Sequence, residues 1–233
     1  MASLKPKNLH IANSVEIGRT YHETYTGSPA EAYVAARGLD AVASRFGLGY
    51  VASALPGHER YRGHLTIPYL RPAGGEDGAA TVRFRCVADR CVIEPTSGAY
   101  YFELGEKEQH EGHGKYLTLP GDPPRMFNTP ALIQTSSHVV IVEGEFDALS
   151  WELAGVPAIG APGTGTWRSY WTPAFQGYET VYLIAEDSAG LVFMDERAAE
   201  MPNAKVIQMP ENLDSNSTLM AHGIEALRGR IGL

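Results

Sequence analysis

From residue 138 onward, short apolar runs alternate with helix-patterned stretches, and this rhythm constrains the fold more than any other feature of the chain. HVVIVEG (138–144), PAIGAP (157–162), TVYLIAE (180–186) and KVIQMP (205–210) read as strands that are apolar almost throughout. A strand apolar on both sides of its pleat must be covered on both faces. Between the strands, EFDALSWELAG (145–155) sets Phe146, Leu149 and Leu153 on one helical face and ends at Gly155. A further helix is expected over Leu191–Met201. In STLMAHGIEALRGRI (217–231), Met220, Ile224, Leu227 and Ile231 keep helical spacing. The alternation predicts an α/β domain over 131–233, a parallel sheet with helices on both faces.

The first part has a different pattern. Residues 1–19 show no clear period, and 1–24 are expected as an N-terminal arm. In SPAEAYVAARGLD (28–40), Ser28 and Glu31 form a capping-box pattern and Gly38 a stop, so a helix is predicted, with a second short one over Asp40–Phe46. HLTIPYL (64–70) and TVRFRCV (81–87), separated by PAGGEDGAA, read as a hairpin, and AYYFEL (99–104) as a further strand. Residues 25–130 are therefore expected as a smaller α+β subdomain.

Composition narrows the function classes. The apolar fraction is 44% and the charged fraction 20%, which excludes disordered and fibrous chains. No apolar run approaches the roughly 18 residues of a membrane span, so no membrane partner is expected. The N-terminal residues lack the apolar core of a signal peptide, and two cysteines form no disulfide framework; a cytoplasmic setting is expected. Acidic and basic residues balance over 1–130, so the whole net charge of −8 falls on 131–233. Arg60, Arg62, Arg71, Arg83, Arg85 and Arg90 crowd one stretch of the balanced part. A basic patch beside an acidic domain suits a polyanion and the cations that act on it.

Ligands of parallel α/β sheets bind beyond the carboxyl ends of the strands. Glu143 ends the first strand of the α/β part, Asp147 lies in the turn of helix after it, Glu186 and Asp187 end a later strand, and Asp214 follows the last. Carboxylate oxygens from three strand ends are ligands for Mg2+, and two such ions can serve phosphoryl transfer. The plainer alternative is that Glu145, Asp147 and Asp187 only favour helix N-termini.

Cys86, Cys91, His110 and His113 are residue types that suit zinc. The Cys spacing exceeds the usual short pair only slightly and the His spacing is tight; the expectation is a buried strand cysteine with surface histidines, with a structural zinc site as the alternative. GAPGTGT (160–166) lacks the lysine of a phosphate-binding loop and is expected as a tight turn bringing backbone near the acidic edge. Trp167, Tyr170 and Trp171 after it are expected to pack on the sheet, with base stacking as the alternative.

The segments VIVEGEFDAL, GAPGTGT, YLIAEDSAG and MPENLDSNSTLMAHG, in this order, resemble the Toprim domain of bacterial and phage DnaG-type primases. Upstream, RGLDAVASRFGLGYV (37–51), ERYRGHLTIPYL (59–70), TVRFRCV (81–87) and GKYLTLPGDPPRMFNTPAL (114–132) resemble segments of the primase RNA-polymerase subdomain. The resemblance spans roughly residues 25–231 and implies a Toprim domain over 131–233.

The resemblance implies primer synthesis from ribonucleoside triphosphates on single-stranded DNA, dependent on Mg2+ or Mn2+. It makes Glu143 a metal ligand or general base toward the primer 3′-hydroxyl. Asp147, Asp187 and Asp214 fall on acidic metal-site positions, with Glu186 beside them and Asn216 where Asp or Asn is usual. Lys115 matches a segment facing template and nucleotide; Arg60, Arg62, Arg83, Arg85 and Arg125 fall near basic positions of the same groove. Ala185 stands where the family has the first acid of Asp-x-Asp, which sets a template-binding or helicase-binding module with weak synthesis beside the enzyme reading. A Toprim nuclease is the third reading. The family's zinc ribbon and helicase-binding domain have no counterpart here, so a separate zinc-ribbon protein and a replicative helicase are expected partners, in a host cytoplasm for a phage protein.

Overall fold

The computed structural model describes residues 9–72, 78–88, 90–93, 100–103, 109–110, 112–163, 165–210 and 213–233. In chain order the first elements are α1 (Leu9–His22), α2 (Pro29–Ala35), α3 (Asp40–Ala43), β1 (Gly49–Tyr50), β2 (His64–Leu70), β3 (Ala79–Cys86), β4 (Arg90–Ile93), β5 (Tyr100–Glu103), β6 (Gln109–His110) and β7 (Tyr116–Leu117). They continue with β8 (His138–Val142), α4 (Glu145–Leu153), β9 (Ala158–Gly160), β10 (Thr180–Ala185), α5 (Ser188–Glu200), β11 (Ala204–Gln208) and α6 (Ser215–Gly229). The chain divides into two units. One holds Met1–Tyr33, Arg45–Pro68 and Ala79–Asp122; the other holds Val34–Ser44, Tyr69–Gly78 and Pro123–Leu233.

The first unit contains a sheet of order β1-β2-β3-β7 and a three-stranded sheet of order β5-β4-β6. Alternation along β3 sends Val82 and Phe84 into an apolar cluster with Ile17, Tyr21, Val51, Tyr61 and Leu119. The rings of Tyr61 and Phe84 stack with centroids 3.9 Å apart. Ile17 and Tyr21 come from α1, so residues 9–22 of the expected N-terminal arm are instead a helix packed on β3. The signal was present: Ser14, Ile17 and Tyr21, all buried, lie at helical spacing.

The second unit is built on the predicted parallel sheet, order β11-β10-β8-β9, with every neighbouring pair parallel. Val139, Ile141, Val181, Leu183 and Ala185 join Phe193 and Met194 of α5 in one cluster. The alternate residues Val140, Val142 and Ile184 are also buried but point to the other face, where α4 contacts β8, β9 and α6. Both faces are therefore covered, which is why these strands carry almost no polar residue.

One pattern expectation fails. Met220 and Ile224 are exposed, whereas Leu227 and Ile231 are buried. Gly223, between Met220 and Ile224, has φ 80° and ψ 178°, so the helix is not continuous across it. A period read across that glycine does not describe one face.

Candidate functional site

The site begins with connections that all turn at one edge. In a parallel sheet every strand-to-helix turn lies beyond the same carboxyl ends. Glu143 directly follows β8, Glu186 and Asp187 directly follow β10, and Asp214 precedes α6. The five carboxylates sense one another as a chain. Asp187 acts on Glu143, Asp147 and Glu143 act on Glu186, and Asp214 acts on both Asp147 and Glu186.

Glu143 lies half-buried, and burial followed by the Asp187 charge raises its carboxyl above the usual range. Its Oε1 is buried with no hydrogen-bond partner among the described residues. The carboxylate lies against the backbone of Gly190, where a Cβ would collide with it. Gly144 is similarly required, since its Cβ would lie 2.5 Å from Asp147 Oδ2. Gly160 is held between Phe127 and the Gly144 carbonyl, with Cβ distances of 3.1 and 3.2 Å. The glycines of GAPGTGT thus do what the sequence suggested at Gly160, and Gly163 makes the turn with φ 101°.

Asp147 and Glu186 form the buried side of the cluster. Asp147 accepts from the Asn216 backbone N–H at 3.1 Å, and Glu186 accepts from the Ser215 N–H and Oγ at 3.4 Å each. Burial first, then facing carboxylates, push Asp147 up to about 7 and Glu186 up to about 9. Interaction with the Glu186 side chain offsets part of the rise at Asp147. Asn216 completes this side through Nδ2, donating to the Arg37 carbonyl and Ser150 Oγ at 3.0 Å each. Asp187 is exposed and Asp214 half-buried. Each caps a helix, Asp187 accepting from Gly190 N at 2.7 Å and Asp214 from Ser217 N at 2.6 Å. The plainer reading therefore holds for part of each carboxylate, because a cap uses one oxygen of two.

Ala185 is fully buried in the apolar cluster with Phe193 and Met194. Glu186 points to the carboxylates instead, as pleat alternation requires. Sequence reasoning missed Ser215 and Arg37. Arg37 lines a cavity of about 500 Å³ together with Asp214, Asn216 and Met220. It also missed Tyr69, whose hydroxyl donates to the buried Glu145 Oε1 at 2.6 Å. None of these carried a local signal, whereas Gly190, three residues beyond a strand-end acid, is the glycine that set the register of the resemblance at Ala185.

The basic residues separate into kinds. In the first unit Arg60, Arg62 and Lys115 are exposed, and Arg83 is half-buried on β3. Arg85 corrects the expectation of a groove residue. It is 2% exposed, donates from Nε to Tyr33 Oη at 2.8 Å and stacks on Tyr33 and Tyr116. Arg125 is half-buried in the second unit. Trp167 is buried and stacks on Phe175, Trp171 packs beside it, and Tyr170 is 73% exposed. Packing thus accounts for the two tryptophans but not for the tyrosine.

The second ligand-rich group corrects an expectation too. Cys86 and Cys91 are both buried, and His110 and His113 are half-buried rather than at the surface. Their four ligand atoms all lie within 4.8 Å of one another. The cause is register: β4 and β6 pair in parallel with Cys91 opposite His110.

A parallel four-stranded sheet together with an antiparallel sheet matches the fold of DnaG primase catalytic cores. The DnaG primase catalytic domain bound to single-stranded DNA matches with a TM-score of 0.67 and 16% identity, covering 96% of this chain and 82% of that one. The RNA polymerase domain of Mycobacterium tuberculosis primase DnaG, in complex with a double-stranded DNA oligomer with a 6-nucleotide overhang, matches with a TM-score of 0.69 and 17% identity, covering 95% of this chain and 78% of that one. No family model matches the chain. It is 37% identical to the Gene 57 protein of Mycobacterium phage D29 over 173 residues, 73% of this chain and 99% of that protein, and it belongs to that protein's family. Among the described residues no helix is long and apolar enough to cross a membrane.

Proposed function

We propose that this chain is a DNA primase core, joining ribonucleoside triphosphates on single-stranded DNA into short RNA primers by divalent-metal-dependent nucleotidyl transfer. The observation that carries the reading is the coupled set of carboxylates at three strand ends of a DnaG-type fold.

The residues fit a hard divalent cation. The donors are all carboxylate oxygens, the set that Mg2+ and Mn2+ take, and Glu143 presents a buried oxygen with no hydrogen-bond partner among the described residues. Glu143 and Asp187 hold the ion, with Asp147, Glu186 and Asp214 completing the acidic rim. A bound ion supplies charge neutralisation for the triphosphate and a more acidic attacking hydroxyl. The raised Glu143 carboxyl is suited to take the proton from the primer 3′-oxygen. Arg60, Arg62, Arg83, Lys115 and Arg125 contact phosphates of template or triphosphate, which positions the strand without reading it. Arg85 takes no such part, because its guanidinium is buried between two tyrosines.

The burial of Ala185 supports a second reading, a template-binding module with little synthesis of its own. Incorporation of labelled ribonucleotides on single-stranded DNA with Mg2+ separates the two. The primase reading expects synthesis by the wild-type chain. It also expects Glu143→Gln to lose about 10²–10³-fold, the scale of removing one preorganised electrostatic group, with folding and template binding retained. Template binding without incorporation by the wild type would leave the second reading. Plasmid nicking without nucleotides would point to a nuclease.

A further inference from the structure

We propose that Cys86, Cys91, His110 and His113 bind one Zn2+ ion as a closed structural site within the first unit. The inference is independent of the carboxylate cluster and of the reaction assigned to it, because it reads different residues and a different metal chemistry.

The quartet is assembled from three strands. Cys86 is the last residue of β3, Cys91 lies in β4, and His110 lies in β6 directly opposite Cys91 in the parallel register. His113 follows after Gly112, whose φ of 72° turns the chain back toward the cysteines. The Cys86 N–H donates to the Lys115 carbonyl at 3.0 Å, which ties the far side of this turn to the end of β3. One ligand atom from each of the four residues falls within a span of 4.8 Å.

The donor set is that of structural zinc: two thiolates, two imidazoles and no fifth group needed. The sulfurs stand 3.4 Å apart. That is far beyond the roughly 2.05 Å of a disulfide. It is a few tenths of an ångström short of the roughly 3.8 Å that two sulfurs subtend on a tetrahedral ion with Zn–S bonds of about 2.3 Å. His113 is oriented for the purpose. Its Nδ1 lies 2.9 Å from the Gly114 carbonyl, which can only accept, so Nδ1 carries the proton and Nε2 is the ligating nitrogen. A backbone carbonyl behind a ligating histidine is the usual outer partner that fixes its tautomer. The alternative, cysteines serving as small apolar residues, explains burial but not the convergence of two imidazoles on two thiols. Four protein ligands leave no open position, so the ion joins the sheet of β4, β5 and β6 to the end of β3 rather than acting on substrate.

The test is metal analysis of the full chain prepared without a polyhistidine tag. One zinc per chain is expected in the wild type, and its loss in the Cys86→Ser, Cys91→Ser double variant. Because that variant can misfold, the wild-type chain is also loaded with Co2+ after zinc removal. Thiolate-to-cobalt charge transfer and tetrahedral d–d bands are expected, and His113→Cys should keep the metal with stronger charge transfer. Zinc well below one per chain together with only the spectrum of hydrated Co2+ would overturn the site. So would a Cys86–Cys91 disulfide in the freshly purified protein.

Discussion

The two units gather ligand-type side chains at strand ends in opposite ways. In the second unit, carboxylates far apart in sequence meet because parallel strands deliver every strand-to-helix turn to one edge. In the first, two cysteines and two histidines meet through the register of two short strands and one glycine turn. The first mode gives hard oxygen donors on a rim that stays partly open, with Asp187 exposed. The second gives a compact soft set in which both cysteines are buried. The lesson is that topology alone places the acidic rim, whereas the Cys/His group depends on a local pairing.

The comparison breaks most sharply at Asp187, which is both helix cap and rim carboxylate. Asn caps as well as Asp, so Asp187→Asn should leave the melting temperature nearly unchanged while primer synthesis falls by about 10²-fold or more. Equal losses of stability and activity would reduce Asp187 to a cap. Next in size is Ala185→Asp, which restores an acid at that position of the strand. Its side chain enters the apolar cluster, so unfolding free energy should drop by about 3 kcal/mol or more in denaturant titration, with no gain in synthesis. A gain in synthesis without loss of stability would mean that position 185 opens onto the rim.

Gly190→Ala gives a test of sign. If the glycine were only a helix residue, alanine would stabilise by about 1 kcal/mol. Because its Cβ would meet the Glu143 carboxylate, a loss of about 1–3 kcal/mol is expected instead, accompanied by lost synthesis. The smallest effect concerns pH. Asp147, raised to about 7, and Glu186, raised to about 9, hold protons more tightly in the folded chain than when unfolded. Stability is therefore fully present below the ordinary carboxyl pKa of about 4 and is lost as pH rises toward about 9. Thermal melts in EDTA should fall by a few degrees between about pH 6 and about pH 9, and Mg2+ should restore part of the loss. A melting temperature that climbs over this range would contradict the raised carboxyls.

Much of the second unit was legible in its residues. β8, β9, β10 and β11 and the helices between them lie where apolar runs and helical spacing put them, because burial on both faces leaves an unmistakable composition. The acidic rim followed, since strand ends identify themselves once strands are known. Less of the first unit could be read. The apolar positions of α1 are few, and Arg85 looked like any surface arginine until Tyr33 and Tyr116, distant in sequence, closed over it. In the second unit, Met220 and Ile224 matched a helical period that Gly223 interrupts.

Sequence by itself determined the parallel α/β unit, the order of its elements and the carboxylates at its edge, because periodicity and strand polarity are local and additive. Tertiary structure decided which oxygen of each acid is committed to a cap, that Ala185 faces apolar side chains and Glu186 its fellow acids, and that Cys91 lies opposite His110. Those outcomes depend on pairing register and on neighbours supplied from elsewhere in the chain, and no window of sequence contains them.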